Sequence, residues 1–111
     1  MHSRGDKELA SIVKVYLTED IFLAHKYIET LEEYAEISKK QKKFVNEKYI
    51  RKLCIDTYIR LLDDYTKISA MIDDTIGNIE YKKAIERNNF EIKNEINKLT
   101  RQINSTLVES D

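Results

Sequence analysis

The amino-acid sequence predicts an all-α protein: an antiparallel three- or four-helix bundle with long helices and a coiled-coil-like C-terminal helix. Three observations lead there. The 111 residues contain no proline, and Gly5 and Gly77 are the only glycines, so little interrupts helix. The turn residues that most β folds place every 8–12 positions or so are missing. Apolar residues recur instead at spacings of three and four, the period of one helix face.

Hydrophobic residues make up 41% of the chain and charged residues 35%, which sets it apart from both disordered tails and membrane proteins. One domain covering residues 1–111 is expected, with helices at about 6–17, 18–41, 46–76 and 78–107. A chain of this length buries roughly two-thirds of its unfolded surface, enough for one modest core.

The first helix opens at Asp6, a good N-cap, and carries Leu9, Ile12, Val13 and Tyr16 on one face. Thr18-Glu19-Asp20 has the look of a second start, a capping hydroxyl followed by acids that suit the helix dipole. Leu17 and Phe22 sit at the spacing of a hydrophobic staple for that cap. Yet Val13, Leu17, Ile21, Ala24, Ile28, Leu31, Ala35 and Ser38 keep an unbroken 4-3-4-3 spacing. One continuous or kinked helix to about residue 40 fits equally well.

Asn46 reads as the next N-cap, with Val45 and Ile50 as its staple. The helix that follows has a broad apolar face: Cys54, Tyr58, Leu61, Tyr65, Ile68 and Ile72, widened by Ile55, Ile59 and Leu62. Such breadth belongs at the centre of a bundle. Asp56/Arg60 and Asp63/Lys67 are i,i+4 pairs in the favourable order. Gly77-Asn78 is the one clear breaker and is expected to turn the chain into an antiparallel hairpin, although an uninterrupted rod has nearly matching stripe phases. Beyond it Ile85, Ile92, Ile96, Leu99 and Ile103 form a narrow seam with Asn89 in register. Narrowness and a polar core position are coiled-coil traits, so this seam is the expected contact of a homo-oligomer.

Net charge is −1, so the whole molecule has no bulk attraction for nucleic acid or acidic membranes. The distribution is uneven. Lys39, Lys40, Lys42, Lys43, Lys48, Arg51 and Lys52 are set against Glu47 alone, and this basic corner is a candidate for phosphate, with Tyr49 available to stack on a base. A solubilising corner or an acidic protein partner explains it more simply. Tyr27 and Tyr34, one heptad apart, share an acidic segment with Glu29, Glu33 and Glu36. Tyrosine buries large area with few rotors, so these five residues are the expected protein-docking face.

Catalysis has no positive sign. His25 has no second ligand at metal-binding spacing, and no phosphate loop, zinc pattern or nucleophile constellation occurs. The acids at Glu29–Glu36, Asp63-Asp64 and Asp73-Asp74 raise a metal-dependent hydrolase as an alternative, but solvated helix faces account for them. Cys54 lies on an apolar stripe, the ordinary place for a buried free thiol. It excludes an intrachain disulfide. Asp6, Lys7, Glu8 and Lys14 break up any secretory stretch, and no apolar run approaches the ~20 residues of a membrane span. The expectation is a cytoplasmic, non-catalytic interaction protein without cofactor. It would bind another protein as regulator, inhibitor or scaffold, and would associate with itself.

Overall fold

The computed structural model describes residues 4–72 and 76–109. They form three helices, α1 (Arg4–Lys40), α2 (Phe44–Ala70) and α3 (Ile76–Glu109), and no strand is present among the described residues. The expected four-helix division is therefore corrected to three. Thr18 does not start a helix: its hydroxyl donates to the carbonyl of Lys14 at 2.8 Å, the back-bond of a threonine inside a helix. Asp6 likewise stands inside α1, which already includes Arg4.

The α1–α2 turn is built by backbone bonds. Lys43 N–H donates to Ser38 C=O at 2.9 Å and Lys42 N–H to Lys39 C=O at 3.0 Å. Lys42 takes φ +58°. This is the Schellman pattern, with a left-handed residue one position past the cap. Glycine is the usual occupant there; without one, the helix still stops at Lys40, beside the expected end at about 41. Helix α2 then starts at Phe44, with Lys43 in the N-cap position and no side-chain cap. Asn46 is an exposed residue of the first turn and Val45 is 77% exposed, so the staple with Ile50 does not form.

At its far end α2 tightens into i→i+3 bonds, Met71 N–H to Ile68 C=O and Ile72 N–H to Ser69 C=O. The chain does reverse, as expected, but before Gly77 and Asn78, which lie within the first turn of α3. The Asp73-Asp74 doublet falls outside the described residues.

Three core layers record the topology. Leu17 meets Ile68 and Ile85, Ala24 and Ile28 meet Leu61 and Ile92, and Leu31 meets Cys54 and Leu99. Successive layers step seven residues up α1 and α3 and seven down α2, so α2 is antiparallel to both neighbours. Leu61, fully buried, is the middle of the middle layer. The broad stripe of α2 has the reason expected of it, because α2 packs on both α1 and α3. Ala24 and Ala35, both fully buried, give α1 a small-residue edge. Among the described residues no Cα of α1 lies within 8 Å of one in α3, which leaves a cleft between them. The result is a rod of 61 × 23 × 17 Å.

The seam of α3 is spent inside the chain. Ile85, Ile92, Leu99 and Ile103 are buried, Ile96 and Asn89 half-buried, and the Oδ1 of Asn89 has no hydrogen-bond partner. Apolar side chains already covered by α2 cannot also cover a second chain. The expected oligomer contact is therefore an intramolecular one.

Candidate functional site

The face of α1 turned away from the core is itself apolar. Leu9, Ile12, Tyr16, Leu23, Tyr27, Tyr34 and Ile37 are each between 42 and 66% exposed. At about 100° per residue these seven fall within an arc of roughly 80°, a straight line of about 42 Å along the helix. The buried stripe of Leu17, Ala24, Ile28, Leu31 and Ala35 lies about 100° around from it. Helix α1 thus carries two apolar stripes, and α2 and α3 cover one. Phe22 and Val15, both exposed, lie about 80–100° around the helix from the stripe's centre, on the side away from the core stripe. An apolar hollow lies among Thr18, Glu19, Phe22 and Leu23. Contiguous exposed apolar surface of this extent marks interaction sites in soluble proteins.

Sequence reasoning put Leu9, Ile12 and Tyr16 on one face of the first helix but did not extend that face beyond Tyr16. They are exposed because the last core layer, Leu17 with Ile68, comes two residues before α2 ends at Ala70. The turns of α1 before Leu17 reach past it. A signal was available: Ile12, Leu23 and Tyr34 repeat every 11 residues, as do Tyr16 and Tyr27, a period that keeps to one side of a straight helix.

The expected docking residues are divided by the fold. Tyr27 and Tyr34 belong to the outer stripe. Glu29, Glu33 and Glu36 lie about 80–140° around the helix from its centre. Glu29 and Glu33 are exposed. Glu36, also exposed, accepts a hydrogen bond from Arg51 at 3.3 Å.

That bond is one arm of a buried network. Arg51 Nε donates to Glu47 Oε2 at 2.8 Å, and the two residues are 5% and 4% exposed. The basic corner therefore loses one of its seven cations to the interior, together with its only acid. Lys39, Lys40, Lys42, Lys43 and Lys52 are exposed, Lys48 is half-buried, and Tyr49 projects beside them.

A second polar group joins α1 to α2. Arg60 grips Asp20 with two bonds, of 2.9 and 2.8 Å, instead of the expected Asp56 one turn away. Asp64 faces the same carboxylate and is buried. Burial first, then Asp20's hydrogen bond and charge, push the Asp64 carboxyl up to about 6. The hydrogen bond from Asp64, and then Arg60, hold Asp20 below its ordinary value against the opposing effect of burial. One proton shared by two carboxyls is the outcome when such groups meet out of water.

The remaining candidates are structural. His25 Nε2 lies 3.3 Å from Tyr65 Oη, and Tyr58 Oη donates to Glu32 at 3.2 Å. Both tyrosines pack their rings in the core, as expected, while their hydroxyls reach α1. Burial, and secondarily the charge of Glu32, push the Cys54 thiol up to about 11, which leaves it protonated and unreactive near neutral pH. The α1–α3 cleft encloses about 420 Å³ lined by Glu32, Glu36, Tyr58, Glu95, Lys98 and Gln102 among others, a lining of both charge signs. No three His, Cys, Asp or Glu side chains among the described residues are placed to hold a metal ion. No described helix is long and apolar enough to cross a membrane. Comparison with family models, curated proteins and solved structures finds no match to this chain.

Proposed function

We propose that this chain is a non-catalytic interaction protein that binds another protein through the outward face of α1. One observation carries the reading: seven large apolar side chains in a straight line, exposed along about 42 Å of a helix whose other side is already packed. Three are tyrosines, which gain much contact area for little lost rotamer freedom. A long amphipathic surface of this kind recognises another helix or an apolar groove. Binding would act by occlusion or scaffolding. The lone free Cys54 suits a reducing compartment, and a cytoplasmic location is part of the reading.

The test compares the native chain with one carrying Leu23→Glu and Tyr34→Glu as baits in a lysate, read by mass spectrometry. The native chain is expected to retain a protein that the variant loses, with melting temperature nearly unchanged because both sites are exposed. Identical bound sets would overturn the docking reading.

A second reading, nucleic-acid binding, is favoured by the exposed lysines around the left-handed turn at Lys42, with Tyr49 64% exposed beside them. It predicts affinity for a single-stranded oligonucleotide that falls steeply with salt. Charge reversal at Lys42, Lys43 and Lys52 should abolish it, and unchanged binding would dismiss it.

A further inference from the structure

We infer that the occupant of the outer α1 stripe is a second copy of this chain, laid antiparallel across a twofold axis beside Leu23. The inference rests on the docking reading above and names its partner.

The stripe is self-complementary about that point. It runs from Leu9 to Ile37, and Leu23 is its midpoint. A twofold axis there sets Leu9 against Ile37 of the second copy, Ile12 against its Tyr34, and Leu23 against itself. An isologous contact needs this kind of matching, in which one patch serves both partners. The charges agree. Glu19 and Lys26 are both exposed and share one flank of the stripe, where the Lys26 ammonium lies 5.1 Å from the Phe22 ring centroid. In the antiparallel arrangement Glu19 of each copy meets Lys26 of the other, giving two symmetric ion pairs. A parallel arrangement in register puts this flank of the two copies on opposite sides of the contact, so neither ion pair forms.

The area is sufficient. Three tyrosines and four aliphatic side chains, roughly half-exposed, offer several hundred Å² per copy. This is the order of the ~800 Å² that each partner buries in a standard interface. The competing surface is gone, because the α3 seam is already covered by α2. What the seam was expected to do for the oligomer falls to α1 instead.

Light scattering across a concentration series reads the stoichiometry. The full chain is expected at twice its 13.2 kDa mass, dissociating on dilution, and Leu23→Glu is expected at the monomer mass with unchanged helical circular dichroism. Orientation is read by oxidation. Leu9→Cys chains alone should stay unlinked, since the two sites would be about 40 Å apart. Mixed with Ile37→Cys chains they should form a linked pair. A monomer at several hundred micromolar, or self-linking of Leu9→Cys, overturns the inference. A monomeric chain that still captures a different protein in a Leu23-dependent way refutes the second copy and keeps the docking reading. A monomer whose captured proteins ignore Leu23→Glu and Tyr34→Glu removes both.

Discussion

Replacing Asp64 by asparagine should make the protein more stable near neutral pH and no more stable in acid. Asp64 is 5% exposed, its Oδ2 has no partner, and its carboxyl lies opposite the Asp20–Arg60 pair. The fold raises its pKa from 3.8 to about 6, so the folded chain holds this proton more tightly than the unfolded one. The contribution of the group is then fully present below about pH 4 and is lost as pH rises toward 6. A rise of that size corresponds to about 3 kcal/mol lost by pH 7 and above. An asparagine amide occupies the same shape and can donate to Asp20 as the protonated carboxyl does, with no proton to lose. The difference between variant and native stability should accordingly be small near pH 4, open between about pH 4 and 6, and level off at up to about 3 kcal/mol. Taking the difference cancels the carboxylates remote from Asp64, while Asp20 keeps a donor in both proteins. Urea unfolding followed by circular dichroism at closely spaced pH values measures it. A difference independent of pH would refute the reasoning, and so would a variant less stable than native at pH 8.

Three further substitutions probe the scaffold. Lys42→Gly relieves a left-handed backbone at φ +58° and should raise stability by about 1 kcal/mol, read as a melting-temperature increase of a few degrees. Leu61→Ala empties the centre of the middle layer, where Leu61 is fully buried, and should cost about 3–4 kcal/mol in urea unfolding. Arg51→Leu leaves Glu47 buried without its partner and should cost about 3 kcal/mol, whereas pairing it with Glu47→Leu should recover most of that loss. Recovery that fails in the double variant would show that the ion pair itself, not the orphaned acid, holds the turn.

Most of the fold could be read from residue pattern. The unbroken 4-3-4-3 spacing from Val13 to Ser38 is the buried stripe of α1, and the breadth of the α2 stripe reflects its two neighbours. Boundaries were harder, because the same groups do two jobs. A threonine hydroxyl caps a helix or back-bonds within one, and Thr18 does the second. Both turns carry weak marks: the first is closed by a lysine in a glycine-favoured conformation, and the second precedes the glycine that pointed to it. The proposed docking stripe was half legible. Tyr27 and Tyr34 belong to it, while their neighbouring acids do not, since adjacency in sequence places residues on different sides of a helix. The cation count of the basic corner overstated its surface, because Arg51 lies in the interior, paired with Glu47 one turn away. Nothing in the local sequence announces that Arg60 reaches Asp20, 40 residues away, in preference to Asp56 one turn off.

The cleft between α1 and α3 also bears on how the chain reaches this structure. Because the two outer backbones approach only α2, the assembly consists of two hairpins that share a strut. Each can close from its own turn. Leu31 and Cys54 are the layer nearest the first turn, Ile68 and Ile85 the layer nearest the second, and each zips toward the other's starting point. Helical proteins assembled from such near-neighbour pairings fold in microseconds to milliseconds. Contacts beside the turns form first, so substitutions in the Leu31–Cys54 and Ile68–Ile85 layers are expected to slow refolding, while those at Leu61, where the two zippers converge, chiefly hasten unfolding.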